Sequence, residues 1–207
     1  MPDIKNSEYK FFLDTGLINV MTPQEFENLL LVVEANPPDE TTPEQAKALM
    51  ILLFYSGRRP SEIVELKSEA FSKEGSYLRV TFRTKKKGAG TILYFPLRNK
   101  HIKEVWEYVK NLPPQMYVFW YFRGESKKGK YKDTTYKVRY WVQKWSRLVG
   151  KELVPYFFRH HRLSVLAMRG ASPEELKFWK GAKSLQSVEP YLHLSQAQAK
   201  KLAKLID

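Results

Sequence analysis

Hydrophobic residues recur every three or four positions along most of the chain, which is the spacing of amphipathic helices. The first such stretch begins at Thr22 and Pro23, a capping side chain followed by a proline that suits the first helical turn. It is predicted to end before the prolines at positions 37 and 38, because proline does not continue a helix. Its apolar positions share one face: Phe26, Leu29, Leu30 and Val33.

Further helices follow from the same pattern. A second cap and proline, Thr42 and Pro43, begin a helix that ends at Gly57, and Ser61 is expected to cap a short helix that extends to Lys67. The remaining helices are predicted at residues 101–112, 134–150, 158–170, 172–181 and 195–206.

Residues 77–97 change to a period of two, which is typical of β-strands. Leu78, Val80 and Phe82 alternate with polar residues, a lysine-rich turn follows, and residues 91–97 form the returning strand. The pattern predicts an antiparallel hairpin with lysines at its tip. The aromatic run at residues 116–122 is predicted to lie in the core. The predicted fold class is therefore α+β, mostly α-helical with a small antiparallel sheet.

The charge of the chain indicates the kind of partner it binds. Its 207 residues include 35 Lys and Arg against 22 Asp and Glu, a formal net charge of +13. Such a surplus favours a nucleic acid, because each cation placed at a phosphate releases condensed counterions. The absence of cysteine excludes a thiolate zinc site, and the four histidines have no carboxylate cluster near them. We expect neither a metal nor a cofactor.

The sequence also bears on location and domain organisation. No segment approaches the roughly 20 apolar residues of a membrane-spanning helix. The first 20 residues are charged and mixed, unlike a signal peptide. We expect a leader at residues 1–20, one domain at residues 21–207, a cytoplasmic protein and no association with membranes.

Two distant arginine clusters and a late tyrosine suggest the chemistry. One cluster contains Arg59, the other contains Arg159, and Tyr191 follows 32 residues after Arg159. A guanidinium keeps its charge and holds two phosphate oxygens at once. A phenol has a pKa near 10, and neighbouring positive charge favours its deprotonation. The set suits attack of a phenol on a DNA phosphodiester.

The order of these motifs resembles the catalytic domain of the tyrosine recombinases, the phage-integrase family. Residues 57–62, GRRPSE, match the family's G-x-R-x-S-E, and residues 156–160, YFFRH, resemble its H-x-x-R-H. The family then counts ten residues from a glycine to its nucleophile, and from Gly181 that count reaches Tyr191. The resemblance covers about residues 21–200 and implies the tyrosine recombinase catalytic-domain fold.

The resemblance assigns roles to individual residues. It implies that a hairpin lysine protonates the leaving 5′ oxygen; Lys85 is slightly favoured over Lys87 because it follows a threonine at the end of the strand. The catalytic set that it implies is Tyr191, Arg59, Arg159, Lys85, Lys87 and Tyr156. Contacts to DNA are expected from Lys86, His160, Arg162 and Lys183.

The implied activity is site-specific recombination of double-stranded DNA, including integration of viral genomes. It proceeds through a covalent 3′-phosphotyrosine intermediate and needs no metal. The resemblance further implies self-association on DNA as a synaptic tetramer. A separate N-terminal DNA-clamping domain is not expected, because only about 20 residues precede the first helix.

Two positions depart from the family pattern and keep alternatives open. Tyr156 stands where the family has a histidine, although a hydroxyl still hydrogen-bonds a phosphate oxygen. Ala182 stands where the family has a second histidine or a tryptophan, and Lys180 or Lys183 is a possible substitute. These departures suit a catalytically weakened DNA-binding relative. A relaxing enzyme similar to type IB topoisomerases is a third reading of the same chemistry.

Overall fold

A computed structural model describes residues 20–83, 90–124 and 135–192. The described residues form two compact units, one made of Thr22–Arg159 and a smaller one made of residues 20–21 and 160–192. The predicted leader, the lysines at the hairpin tip and the predicted helix at residues 195–206 lie outside the described residues. None of the helices in the described ranges has the length and apolar character needed to cross a bilayer.

The first two helices of the larger unit form as their capping residues predict. In α1 (Pro23–Ala35), the Thr22 side chain and Glu25 form a reciprocal capping box. In α2 (Pro43–Ser56), the side chain of Thr42 accepts a hydrogen bond from the backbone N–H of Gln45. This helix ends at Gly57, which has a left-handed φ of 59° that glycine adopts without steric cost.

The short third helix was predicted with the wrong bounds. The structure forms α3 at Pro60–Ile63, with Arg59 rather than Ser61 as the residue that precedes the helix. Pro60 takes the first helical position because its φ is already helical and it has no N–H to satisfy. The carboxylate of Glu62 instead accepts the backbone N–H of Arg59 at 2.9 Å. A 3₁₀ turn at Ser68–Ala70 follows.

The predicted hairpin is part of a three-stranded antiparallel sheet. Its strands are β1 (Phe71–Glu74), β2 (Tyr77–Phe82) and β3 (Thr91–Pro96), in that order. The strand β1 was not predicted, because four residues are too few to show a clear period. In the β2–β3 register Phe82 lies opposite Thr91, and the inward positions of β2 are buried as expected. The exit of the hairpin requires glycine at position 90, where a Cβ would lie 2.8 Å from the carbonyl oxygen of Phe82.

Two longer helices complete the larger unit. Helix α4 (Lys100–Val109) begins one residue before its predicted range and ends three residues before the end of that range, and α5 (Tyr136–Leu148) lies within the range predicted from periodicity. Helix α4 packs on α2, and α5 packs on α1. Helix α2 is buried on almost every side and contacts α1 and α4, and the rings of Phe26 and Phe54 stack between α1 and α2 with centroids 3.7 Å apart. Three side chains of the aromatic run are fully buried as predicted: Val118, Phe119 and Phe122.

Three further elements complete the described chain. Helix α6 (Pro155–Met168) begins three residues earlier than predicted, because Pro155 suits a first helical position. Helix α7 (Pro173–Lys180) has a capping box formed by Ser172 and Glu175 and ends at Gly181. A 3₁₀ turn (Leu185–Val188) leads into helical residues 189–192. The core of the smaller unit consists of Leu163, Ala167, Leu176, Val188 and Tyr191.

Two neighbouring leucines of α1 test how much of the stability depends on this core. Leu29 is fully buried, whereas Leu31 is 64% exposed. We expect Leu29→Ala to lower the free energy of unfolding by about 2–5 kcal/mol, because it removes apolar contacts and leaves a cavity. The matched control Leu31→Ala should change it by about 0.5 kcal/mol or less. Urea unfolding followed by tryptophan fluorescence measures both, and equal effects would contradict the described face of α1.

Candidate functional site

Two arginines are buried together in the larger unit. Arg58, in the turn between α2 and α3, and Arg159, on α6, are each 1% exposed. Arg159 donates from Nη1 to the carbonyl oxygen of Gly57 at 3.0 Å. This bond fixes the end of α2, and with it the position of Arg58, against the first turns of α6.

The surroundings of Arg58 leave its charge incompletely balanced. Its Nη1 lies 3.7 Å from the carboxylate of Glu62, and its guanidinium lies 5.2 Å from the ring centroid of Phe82. Within the described residues none of its three guanidine nitrogens has a hydrogen-bond partner. Burial lowers the pKa of Arg58 to about 10, opposed by Glu62 and reinforced by the charges of Arg159 and Arg59. Arg58 therefore remains a cation at neutral pH.

This arrangement suits an anion. The described partner of the Arg58 guanidinium is the carboxylate of Glu62 at 3.7 Å, and the charge of the buried Arg159 acts on the same guanidinium. A buried charge without a full set of partners is costly and persists in proteins mainly where it serves a site. Phosphate oxygens are the acceptors that guanidinium groups bind best.

The structure places the motif arginine differently from its neighbour. Arg59 is exposed at the start of α3, and its charge acts on Arg58. Sequence analysis selected Arg59 from the G-x-R spacing and did not single out Arg58, which is the buried member of the pair. A signal was present, since Arg58 follows a helix so apolar that the next side chain is expected to be buried.

Tyr191 is buried in the smaller unit. Its ring is 1% exposed and packs against Leu163, Ala167, Leu176 and Val188. Its hydroxyl oxygen lies 2.7 Å from Nδ1 of His160. The pKa of His160 is lowered to about 4, first by burial and then by the charge of Lys180. The imidazole is therefore neutral at neutral pH.

Lys180 is the cation that the structure brings to Tyr191. Its Nζ lies 5.5 Å from the centroid of the tyrosine ring and donates to the carbonyl oxygen of Ser187. Ala182 is half-buried and Lys183 is exposed. Of the two lysines considered as substitutes for the family's missing side chain, Lys180 is therefore the one with a described contact to Tyr191.

The other candidates are distributed as follows. Tyr156 is 43% exposed on α6, whereas Arg162 is 8% exposed, which is more burial than a direct DNA contact suggests. His161 is also buried, and its Nδ1 accepts the backbone N–H of Met21 at 3.1 Å. The hairpin lysines at positions 85, 86 and 87 lie outside the described residues. Within the described ranges no group of His, Asp and Glu side chains is arranged to hold a metal ion.

Comparison with known proteins identifies the family. Residues 19–198 match the phage integrase family. The chain belongs to the phage integrase family. The sequence prediction of the family is thereby confirmed.

Curated relatives in the family include the tyrosine recombinase XerC of Leptospira interrogans. It is 25% identical to this chain over 179 residues, which are 84% of the chain and 54% of that protein. XerC from a second strain of the same species matches to the same extent. The chain thus spans about half the length of the curated relatives it matches.

Solved structures of integrases and recombinases share the fold. XerA recombinase superposes with a TM-score of 0.64 at 15% identity, over 90% of this chain and 63% of that one. XerH in a post-cleavage complex with palindromic difH gives 0.64 at 17% identity, over 90% of this chain and 53% of that one. The catalytic domain of bacteriophage HP1 integrase superposes with a TM-score of 0.55 at 16% identity, over 90% of this chain and 94% of that one. The predicted fold class is confirmed.

Two histidines of the smaller unit, the half-buried His160 and the buried His161, make stability depend on pH. The pKa values of His160 and His161 are lowered to about 4 from 6.5. Between these values the unfolded chain binds protons that the folded chain does not, so stability falls as the pH falls. From pH 7 to pH 4.5 we expect a loss of about 2–3 kcal/mol per histidine.

Urea unfolding at the two pH values measures this loss. The variants His160→Gln and His161→Gln should each show a smaller loss than the parent, because glutamine does not titrate. The low pKa of Glu25, about 2, acts mainly at lower pH and affects all variants equally. Equal stability of the parent at pH 7 and pH 4.5 would contradict the buried neutral histidines.

Proposed function

We propose that this chain cleaves and rejoins duplex DNA at specific sites through a covalent 3′-phosphotyrosine intermediate on Tyr191. The observation that carries the proposal is the setting of this tyrosine in a chain of the phage integrase family. Its hydroxyl contacts a neutral imidazole, and an ammonium lies beside its ring. Solved relatives of the same fold include XerH, a site-specific recombinase bound to its difH substrate.

The scissile phosphate is proposed to bind at the arginines. Attack on phosphorus places negative charge on the non-bridging oxygens, and preorganised guanidiniums stabilise it best where water is excluded. Arg159 matches the second arginine of the family motif, and its burial close enough to Arg58 to act on the pKa of that group supports this role. Arg59, the arginine at the motif position, is exposed and suits an oxygen on the outer side of the same phosphate. Both Arg58 and Arg159 must be uncovered when DNA binds.

Protonation of the leaving 5′ oxygen is proposed for Lys85 or Lys87. These lysines follow Phe82 by three and five residues. The contact of Phe82 with the Arg58 guanidinium supports the proposal, because it sets the base of the hairpin beside the arginines. Tyr156, exposed on α6, is proposed to hydrogen-bond a phosphate oxygen in place of the usual histidine.

Binding to double-stranded DNA is supported by the net charge of +13. Exposed Lys183 and the lysine at position 86 are proposed to contact the backbone, where such contacts position the protein without reading sequence. We further propose that exchange of strands occurs in a synaptic tetramer and that the protein acts in the cytoplasm, where its DNA lies. The alternative of a catalytically weakened DNA-binding relative is motivated by Tyr156 and Ala182. The charge that Lys180 supplies beside Tyr191 favours the active enzyme.

Covalent trapping tests the nucleophile. A pool of nicked suicide duplexes with a randomised central sequence should yield an adduct with the parent that survives denaturing electrophoresis. Tyr191→Phe should yield none, because it lacks the attacking oxygen. Tyr140→Phe is the matched control, since Tyr140 is 50% exposed on α5, and it should form the adduct normally. An adduct in Tyr191→Phe, or none in the parent, would contradict the proposal, and relaxation of plasmid without a defined site would favour the topoisomerase-like alternative.

Arginine variants test the phosphate site. We expect Arg58→Met and Arg159→Met each to slow single-turnover cleavage by about 10²–10³-fold, as loss of one donor to a developing oxyanion does. Methionine keeps the apolar volume, but Arg159→Met also removes the bond to the Gly57 carbonyl, so circular dichroism of each variant is compared with the parent before cleavage is measured. Arg98→Met, at an exposed arginine after β3, is the matched control and should cleave at the parental rate. Normal cleavage by Arg58→Met with loss in Arg59→Met would assign the phosphate to the motif arginine alone.

A further inference from the structure

The contact between Tyr191 and His160 involves the reacting oxygen itself. The hydroxyl oxygen and Nδ1 are 2.7 Å apart, which is a normal length for a strong hydrogen bond. The two rings are tilted by 37° with centroids 5.7 Å apart, so the contact is edge-on through these atoms and not a stack. Sequence analysis assigned His160 to DNA binding and did not connect it with the tyrosine.

The core of the smaller unit sets this geometry. Leu163 and Ala167 follow His160 on the same face of α6 at helical spacing and pack against Tyr191 and Val188. The ring of Tyr191 therefore packs against α6 as part of this cluster. Its hydroxyl contacts His160, which lies one helical turn before Leu163. A group held by packing on a helix is preorganised for proton transfer.

The direction of the hydrogen bond depends on the tautomer of His160. Burial and the charge of Lys180 lower the pKa of His160 to about 4, so the ring is neutral at neutral pH, and an ordinary phenol is protonated in the same range. A neutral ring carries its proton on one of its two nitrogens, and the tautomer with the proton on Nε2 directs the lone pair of Nδ1 at the hydroxyl. We assign this tautomer, in which the O–H of Tyr191 donates to Nδ1 of His160. Lys180 is a cation with no lone pair and cannot accept this proton.

We propose that His160 is the proton acceptor for Tyr191 during DNA cleavage and the proton donor to it during rejoining. This inference rests on the proposed function. In cleavage the phenolic proton moves to Nδ1, the oxygen forms a bond to phosphorus, and the bond from phosphorus to the 5′ oxygen breaks. The 5′ oxygen takes its proton from the separate donor proposed on the hairpin. In rejoining the 5′ hydroxyl gives its proton back to the hairpin group as its oxygen bonds to phosphorus. The bond from phosphorus to the tyrosine oxygen breaks, and the imidazolium returns its proton to that oxygen.

The arriving phosphodiester improves this base. The phosphorus that Tyr191 attacks must come within bonding distance of an oxygen that lies 2.7 Å from Nδ1. A negative charge so close stabilises the imidazolium and raises its affinity for the proton. Lys180 has the complementary effect, because it disfavours a charged histidine before DNA binds and stabilises the phenolate as it forms. The proton is therefore transferred mainly when substrate is present.

His161 provides an internal comparison. It is the next residue of the same helix, is buried and has an equally lowered pKa of about 4. Its Nδ1 accepts a backbone N–H from Met21, so its lone pair serves the fold. A substitution that affects cleavage at position 160 and not at position 161 separates proton transfer from the general effect of removing a buried imidazole.

The test is single-turnover cleavage of a suicide duplex by His160→Gln, with His161→Gln as the matched control. A glutamine carbonyl still accepts the hydrogen bond from Tyr191 but cannot take its proton. We expect His160→Gln to slow cleavage by about 10²–10⁴-fold, the range of general base catalysis. His161→Gln should stay within about threefold of the parent in cleavage. Equal rates for His160→Gln and the parent would overturn the proposal.

A second measurement separates proton acceptance from positioning. A fluorinated tyrosine at position 191 is a more acidic phenol and depends less on a base, so it should restore much of the rate of His160→Gln while changing the parent little. A substrate with sulfur in place of the bridging 5′ oxygen needs no proton donor for its leaving group. That substrate should rescue Lys85→Ala or Lys87→Ala but not His160→Gln, and rescue of His160→Gln by sulfur alone would overturn the proposal.

The two proposals fail in different ways. Absence of an adduct with the parent, or its persistence in Tyr191→Phe, overturns the proposed function. An adduct at Tyr191 that forms equally fast in His160→Gln leaves the proposed function intact and removes only the role of His160. If His160→Gln is poorly folded, cleavage by His160→Asn and rescue of His160→Ala cleavage by added imidazole test the same role. Failure of imidazole to accelerate cleavage by a folded His160→Ala would count against the proposal.

Discussion

The hydrogen bond from Arg159 to the carbonyl of Gly57 joins segments that lie 102 residues apart in the chain. Gly57 is able to offer that carbonyl because its left-handed φ turns the chain sharply at the end of α2. The residue that follows, Arg58, is thereby directed into the interior beside Arg159, with Glu62 as its partner. The charge distribution of the larger unit follows from this bond and that turn.

The stability of such a cluster has to come from its surroundings. Burial is the main reason that the pKa of Arg58 is lowered, and the charges of Arg159 and Arg59 lower it further. The opposing contribution is apolar, since α2 is buried on almost every side and packs on α1 and α4. In the proposed site, a bound phosphate would offset the electrostatic cost of the buried Arg58 cation. Such compensation is common in sites that act on anions.

In the proposed function the smaller unit keeps the phenol of Tyr191 in place and protonated until substrate binds. Packing against Leu163 and Val188 orients the ring of Tyr191, and His160 holds its proton in a neutral hydrogen bond. The same burial that fixes the tyrosine lowers the pKa of the histidine. Burial thus sets both the position of the Tyr191 ring and the protonation state of His160.

Much of this was accessible from the sequence. Capping residues and prolines located the helices closely, and the period of two located the hairpin, because these signals are local. Motif spacing identified Tyr191 and Arg159 as candidates and the family to which the chain belongs. The errors in helix bounds arose where neighbouring residues both suit a helix start. At α3, Ser61 was predicted as the cap, but the helix begins at Pro60.

The sequence by itself determined which residue types the site contains, since helical period, cap chemistry and motif spacing depend on near neighbours in the chain. Tertiary structure alone decided which arginine of the pair is buried and which histidine meets the tyrosine. Arg58 and Arg59, like His160 and His161, are adjacent and chemically identical. What distinguishes them is the direction of the side chain and the partner it finds far along the chain: Phe82 for Arg58 and Tyr191 for His160. Burial and long-range contacts, which set charge and pKa, are properties of the packed chain and not of its local order.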